Sequence, residues 1–168
     1  MIRIVGACCL VTGCGGFGFA MAAANRREEE QLRLLLRSLE YMSCELSYRQ
    51  TPLPTLCRGA ALGERGIVPA FFLELAKELE KGTAADVQVC VYEVLQRLEP
   101  TRELRRLLQE LGATLGRFDL PGQLRGLEGS IRFTGEALRR LQDGAASRRR
   151  SYQTLGLCAG AAMAILFL

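Results

Sequence analysis

The chain has 168 residues, of which 49% are hydrophobic, and a formal net charge of +4. Acidic and basic residues are intermixed, which argues against the one-signed basic face that nucleic-acid binding requires. Histidine, the commonest general base and zinc ligand, is absent. The seven cysteines show no short paired spacing outside the apolar ends. We therefore expect no metal site, no cofactor, and structural thiols in a reducing compartment.

The first apolar segment covers residues 4–24 without a charge, and as a helix it would reach about 31 Å. A second apolar segment at the other end, residues 151–168, would reach about 27 Å. Both lengths are close to the hydrocarbon thickness of a bilayer. The sequence therefore predicts a transmembrane helix over 1–24, a helical domain over 25–150, and a second transmembrane helix over 151–168.

Arginines predict which side of the membrane the middle domain faces. They cluster where this domain meets both ends, whereas Arg3 is the one basic residue on the far side. Because positive charge favours the cytoplasmic side, we expect a cell-membrane protein with a cytoplasmic domain. The residues expected at the membrane interface, where the arginines hold anionic headgroups, are Arg26, Arg27, Arg148, Arg149, Arg150 and Tyr152.

Two other interpretations of the N-terminus place the domain outside the cell. Residues 1–24 also resemble a cleaved secretory signal, with small residues at 22–24. Val11-Thr12-Gly13-Cys14 resembles a lipoprotein processing box, which would leave a lipid on Cys14. The alternative is thus an exported helical adaptor, anchored at Cys14 or by the C-terminal segment.

Apolar residues in the middle domain recur at helical spacing. One row runs Leu32, Leu35, Leu39, Met42, Leu46, and the other runs Leu124, Leu127, Ile131, Thr134, Leu138, Leu141, Ala145. Because the two rows lie on the helices that join the membrane segments, these helices should be antiparallel neighbours. Thr134 is the only polar residue in its row.

Turn and cap residues divide the rest of the domain into short helices. Thr51 and Pro52 predict an N-cap and first position, and the helix that follows should end near Leu62. A third helix is expected over 69–79, closed by Gly82, and a capping box at 83–86 predicts a fourth. A fifth follows Pro100, and Asp119 with Pro121 begins the last. Val87, Val89 and Val91 suggest one buried helical face. The fold class is an all-α bundle of about six helices, the first and last long and continuous with the membrane segments.

The sequence contains no motif that predicts catalysis. Gly13-x-Gly15-x-x-Gly18 matches the dinucleotide-binding pattern, but no strand precedes it and it lies in an apolar segment. The only lysines are Lys77 and Lys81, and neither follows a phosphate-binding glycine loop. An enzyme acting through surface carboxylates would lose activity when single carboxylates are replaced. We predict that the chain is not an enzyme.

Several stretches of the chain resemble the motifs of one protein family. Glu45-Leu46-Ser47-Tyr48 followed by Thr51-Pro52-Leu53-Pro54 is similar to the signature of the stage III sporulation protein AB family. Further agreement covers Leu111-Gly112 to Leu115-Gly116, then Asp119 and Gln123, and the ending 152–156. The resemblance extends over nearly the whole chain, both membrane ends included.

The resemblance implies a non-enzymatic platform of a channel between mother cell and forespore. The family's soluble domain is similar to those of type II secretion inner-membrane platform proteins. Expected partners are other sporulation channel proteins, including a separate cytoplasmic ATPase, with a homo-oligomer as a further option. The residues singled out have either fold-maintaining roles, such as Tyr48 filling the core and meeting Glu45, or direct partner contacts: Glu45, Tyr48, Thr51, Pro52, Pro54, Asp119 and Gln123.

Overall fold

The computed structural model describes the backbone of residues 2–82, 86–116 and 119–167, and the side chains of 26–82, 86–116 and 119–144. These residues form six α-helices and no β-strand. The predicted all-α fold is confirmed. The helices are α1 (Ile2–Arg49), α2 (Leu53–Ala60), α3 (Ile67–Lys81), α4 (Val87–Leu98), α5 (Arg102–Thr114) and α6 (Leu120–Phe167).

The first and last helices are long antiparallel neighbours, as predicted. The Gln142 amide donates a hydrogen bond to Glu29 Oε1, 2.9 Å away, where α6 passes the early part of α1. At the opposite end, Leu46 of α1 and Leu120 of α6 line one groove. We call this second end, which lies away from Ile2 and Phe167, the distal end.

The six helices pack in a closed ring. Each helix contacts the next one in the chain, and α6 contacts α1. The ring encloses one hydrophobic core, in which Phe71 and Phe72 meet edge to face with ring centroids 5.3 Å apart. Both rings are almost fully buried, so they contribute a large share of the apolar area removed from water.

The apolar row of α1 is buried as predicted, because its residues recur on one face of the helix. Leu32, Leu35, Leu39, Met42 and Leu46 are each at most 6% exposed. The row predicted for α6 is only partly right. The buried side of α6 is centred on Leu127, Ser130, Thr134 and Ala137, whereas Leu124, Ile131 and Leu138 are only partly buried beside it.

The two polar side chains on the buried side of α6 differ in their hydrogen bonding. The Ser130 hydroxyl donates to the Gly126 carbonyl oxygen of its own helix at 3.1 Å, which makes serine tolerable there. Thr134, which is 1% exposed, has a hydroxyl without a hydrogen-bond partner. Thr134, the polar residue in the otherwise apolar row of the sequence, therefore places a polar atom at the centre of the helix interface.

Two predicted helix starts were wrong. The N-cap of α2 is Pro52 rather than Thr51, and the Thr51 hydroxyl bonds to another side chain instead. The N-cap of α4 is Asp86, whose carboxylate accepts from the Gln88 backbone N–H at 3.1 Å. The predicted capping box instead began at Thr83 and placed Asp86 three residues later. Thr83 lies outside the described residues. The closure of α3 at Gly82 is confirmed by its left-handed φ of 63°.

Membrane insertion stays a prediction. Among the described residues, none of the helices combines the length and the apolar character that crossing a bilayer requires. The side chains of both predicted membrane segments lie outside the described residues, as do those of Arg148, Arg149, Arg150 and Tyr152. Arg26 and Arg27 are described, and both are exposed.

Candidate functional site

The residues singled out in the sequence converge on the distal end. A groove of about 280 Å³ opens there between the end of α1, the start of α2 and the start of α6. Its lining has no formal charge. The lining residues are Leu46, Gln50, Thr51, Leu53, Gly116, Leu120 and Gln123.

Glu45 joins the end of α1 to the turn that follows it. The Thr51 hydroxyl donates to Glu45 Oε2 at 3.2 Å, and Arg49 lies 3.7 Å from the other carboxylate oxygen. This arrangement holds the turn between α1 and α2 in place. It also corrects the expectation for Tyr48, because the partner of Glu45 is Thr51 and the Tyr48 side chain is 85% exposed.

Gln50 has an unusual backbone conformation at the rim of the groove. Its φ is 50°, in the left-handed region that residues with a Cβ rarely adopt. At Gly63, Gly82 and Gly116 the chain places glycine at positive φ, which avoids the steric cost. At position 50 the strained conformation instead carries a long amide side chain that lines the groove.

Asp119 and the two prolines fix where helices begin. The Asp119 carboxylate accepts from the Gly122 backbone N–H at 3.2 Å, which caps α6 as the sequence predicted. Pro52 occupies the N-cap of α2, and its carbonyl accepts from the Leu56 N–H at 2.9 Å. Pro54 lies in the first turn of α2. These three residues position the walls of the groove.

Gly116 connects the groove to the next helix pair. A Cβ at this position would lie 2.6 Å from Val87 Cγ2, so the absence of a side chain lets the start of α4 approach closely. Its φ of 75° lies in the left-handed region, which also favours glycine. The start of α4 is therefore part of the distal end.

Sequence reasoning found part of this groove and missed the rest. Of the predicted residues, Thr51 and Gln123 line it, while Glu45, Asp119 and the prolines support it. Leu46 and Leu53 were quoted within the signature but were not selected as site residues. Gln50 carried no signal, because its role depends on a backbone angle that residue type does not reveal.

A second groove of about 370 Å³ lies between α4 and α5. Val89 and Tyr92 are 48% and 57% exposed along it. The expectation that Val87, Val89 and Val91 share one buried face was wrong: residues two positions apart on a helix point in nearly opposite directions. Val91 is buried against Gly112, where a Cβ would lie 2.9 Å from Val91 Cγ2.

An ion-pair network joins α3 to α4. The Arg97 guanidinium lies 2.6 Å from Glu78 and 3.7 Å from Glu74, and Lys81 lies 3.1 Å from Glu78. Hydrogen bonds from Arg97 and Lys81 hold the pKa of Glu78 below its ordinary value. Glu78 is only 8% exposed, so this network compensates a buried carboxylate rather than forming an open site.

Two of the three described thiols, Cys57 and Cys90, are buried. Burial raises the pKa of Cys57 to about 12 and also raises that of Cys90, which disfavours the reactive thiolate. Cys44 is exposed and free. Within residues 26–82, 86–116 and 119–144, no three His, Cys, Asp or Glu side chains are grouped so that they could hold a metal ion.

Comparisons with known proteins agree on one family. The profile of stage III sporulation protein AB (spore_III_AB) matches residues 3–168. The Bacillus subtilis (strain 168) protein "Stage III sporulation protein AB" is 23% identical over 172 residues and is covered along its full length, as is this chain. A solved structure of "Stage III sporulation protein AB (SpoIIIAB)" shares the fold, with a TM-score of 0.61 and 20% identity. The match covers 70% of this chain and 94% of that one.

Proposed function

The chain belongs to the stage III sporulation protein AB family, and we propose that it is a non-enzymatic membrane platform that docks a separate ATPase. In this proposal it serves a sporulation-specific, secretion-like channel between mother cell and forespore. Its domain over residues 25–150 faces the cytoplasm, and the segments 1–24 and 151–168 anchor it in the mother-cell membrane.

The exposed residues and the groove at the distal end support docking. Tyr48, in the last turn of α1, is 85% exposed, and the same end of the bundle carries an uncharged groove whose walls are fixed by Glu45, Thr51 and Asp119. An exposed tyrosine at the end of a helix offers a large contact area at low entropic cost, which is typical of residues that dominate binding energy. This end also lies farthest from the proposed membrane anchors.

The neutral lining defines the chemistry of the contact. Leucines form its apolar part, the amide of Gln50 supplies a donor and an acceptor, and the Thr51 oxygen, whose proton goes to Glu45, can accept. We expect the ATPase to present an uncharged segment with an apolar side chain, because burying an unpaired charge here would be costly. Capture should therefore depend little on salt concentration.

Co-purification from membranes of sporulating cells tests the docking. The full-length chain should retain the separate ATPase, and Tyr48→Ala should reduce the captured amount by about tenfold or more. Tyr92→Ala is the matched control, because Tyr92 is also exposed but lies on another helix, α4, where it lines the second groove. Unchanged capture by Tyr48→Ala, or equal loss in both variants, would refute docking through Tyr48.

A second experiment decides between the cytoplasmic domain and the exported alternative. Protease added to sealed cells should leave residues 25–150 intact, and the mass of the extracted protein should include residues 1–13. Digestion of the domain, or an acyl chain on Cys14 with loss of residues 1–13, would instead support the exported adaptor.

A further inference from the structure

Helix α6 buries small and polar residues while larger apolar residues lie at the margin of its contact with the bundle. The buried set, each member at most 5% exposed, consists of Ser130, Thr134 and Ala137. The apolar edge, whose members are only partly buried, consists of Leu124, Ile131 and Leu138. Burying leucine or isoleucine stabilises a core more than burying serine or alanine, because more apolar area leaves water. The observed position of α6 therefore leaves its most apolar side incompletely buried.

The buried set and the apolar edge face different neighbours. At about 100° per residue, the two sets lie roughly 90° apart around the helix axis. On the side of the apolar edge, the Gln142 amide bonds to Glu29 of α1 at 2.9 Å. On the side of the buried set, Gly126 lies against α5, where a Cβ would be 2.7 Å from the Thr114 Cβ. The apolar edge is thus next to α1, and the buried set is next to α5.

Thr134 shows that the observed packing is not fully satisfied. Its hydroxyl is buried and has no hydrogen-bond partner among the described residues. An unpaired buried hydroxyl raises the free energy of the packing that contains it. Turning α6 so that its apolar edge enters the core would move Thr134 from the centre of the interface toward the margin beside α5.

Two glycines of α6 show that this turn is sterically possible. A Cβ at Gly129 or at Gly135 would meet no described atom within 4 Å. The turn would carry position 135 toward α1, whereas position 129 would stay in solvent. A side chain at 135 would then collide with α1, and glycine avoids this collision. Glycine lowers helix stability in the middle of a helix, so the turn gives Gly135 a physical reason.

We propose that α6 turns about its axis between the observed packing and a second packing. In the second packing the apolar edge occupies the core and the buried set moves outward beside α5. The observed packing keeps the Gln142–Glu29 hydrogen bond, whereas the second packing buries more apolar area. Leu127 lies between the two sets around the helix and stays buried in both. A helix with two packings on one scaffold is a conformational switch.

The turn connects the distal groove to the C-terminal part of the helix. Leu120 and Gln123 line the groove, and α6 continues as one helix to Phe167. Turning α6 changes which of its residues face the groove, and it rotates the segment 151–168 by the same angle. A partner that binds the groove in the observed packing therefore fixes the orientation of that segment. This use of the turn rests on the proposed docking, whereas the two packings do not.

Thiol labelling of the purified full-length chain in non-ionic detergent tests the two packings. Ser130→Cys replaces one oxygen by sulfur and places a thiol in the buried set. Cys57 and Cys90, at most 2% exposed, are references for thiols that need unfolding to react, and exposed Cys44 is the reference for free access. The thiol of Ser130→Cys should react with a maleimide at least about tenfold faster than Cys57, because turning requires less free energy than unfolding. Protection equal to that of Cys57 would overturn the proposal.

A second position distinguishes turning from detachment of the whole helix. Leu127 stays covered when α6 turns, so the thiol of Leu127→Cys should react as slowly as Cys57. Detachment of α6 would instead make the thiols of Leu127→Cys and Ser130→Cys reactive together, and that result would contradict the turn. Thermal melting followed by circular dichroism checks that both variants are folded. Variants at the two glycines decide the same question in a chain whose core is intact.

Gly135→Leu and Gly129→Leu form a matched pair in the Ser130→Cys chain. Both leucines have open space in the observed packing and gain the same helix propensity. Gly135→Leu should slow labelling of the introduced thiol about tenfold, because its side chain meets α1 only after the turn. Gly129→Leu should leave the labelling rate unchanged. Equal slowing in both variants would show that helix stability alone controls access, and the turn would be disproved.

Capture of the ATPase from membranes of sporulating cells tests the link to the groove. Gly135→Leu holds α6 in the observed packing, so it should capture at least as much ATPase as the wild-type chain, and loss of capture would exclude the link. Protected Ser130→Cys together with Tyr48-dependent capture would refute only the turn. Reactive Ser130→Cys together with Tyr48-independent capture would refute only the proposed docking.

Discussion

The centre of the bundle and its distal end are built differently. In the centre, Phe71 and Phe72 pack edge to face, and at the edge of the core the carboxylate of Glu78 is compensated by Arg97 and Lys81. At the distal end, Gln50 has a left-handed backbone and Tyr48 extends into solvent. The contrast indicates that stability is concentrated in the centre, and it agrees with the proposal that the distal end serves binding.

The largest effect expected from this contrast is on the core. Phe72→Ala should lower the free energy of unfolding by about 3–5 kcal/mol, because it removes a fully buried ring and leaves a cavity. Tyr48→Ala should change it by less than about 0.5 kcal/mol, because that side chain is 85% exposed. Chemical denaturation of the purified chain, followed by circular dichroism, measures both. Similar losses would remove the distinction between the two regions.

Two helix glycines sharpen the contrast between tight and open packing. Gly112→Ala should destabilise by about 1–3 kcal/mol, because its Cβ would lie 2.9 Å from Val91 Cγ2 in the core. Gly129→Ala should stabilise by about 0.5–1 kcal/mol, since it gains helix propensity in open space. The same denaturation experiment measures the sign of each change, and equal signs would contradict this account of the packing.

Relief of backbone strain at the distal end should give a smaller gain in stability, accompanied by weaker binding. Gln50→Gly should raise the free energy of unfolding by about 1 kcal/mol, because glycine adopts φ near 50° without a Cβ clash. It should at the same time weaken ATPase capture, since the amide that lines the groove is lost. A variant that is less stable and captures normally would show that Gln50 serves the fold alone.

The smallest effect concerns pH. The pKa of Glu78 is lower in the folded state than in a free glutamate, which protonates at about pH 4. Glu78 therefore stabilises the fold above that pH. This contribution is lost as the pH falls through the lowered pKa. Glu78→Gln should therefore flatten the loss of stability on acidification below about pH 4.5. Melting temperatures of both proteins at a series of pH values test this, and parallel curves would exclude the role.

The sequence predicted what depends on residue type and spacing. The buried row from Leu32 to Leu46, the closure at Gly82 and the cap at Asp119 follow from period and local chemistry, and the structure confirms them. The error at Thr51 has a physical reason: a threonine before a proline can cap a helix or bond elsewhere, and here Glu45 is within reach.

What the sequence could not show depends on contacts between distant residues. The buried side of α6 moved to Ser130 and Ala137 because the positions of α1 and α5 decide which side is covered. The groove combines residues from four segments with a left-handed Gln50, and neither property is encoded locally. The convergence of Thr51 and Gln123 could be anticipated only from the family resemblance.

Closure of the ring by its first and last helices has a consequence during synthesis. Glu29 and Gln142, which are hydrogen-bonded, are 113 residues apart, so α1 has no neighbour on one side until α6 has left the ribosome. Contacts between residues so far apart in the chain form late and slow the folding rate. Leucines of α1 and α5 that later face α6 are open to water in the nascent chain. That interval is when this protein is most exposed to aggregation and most dependent on chaperones.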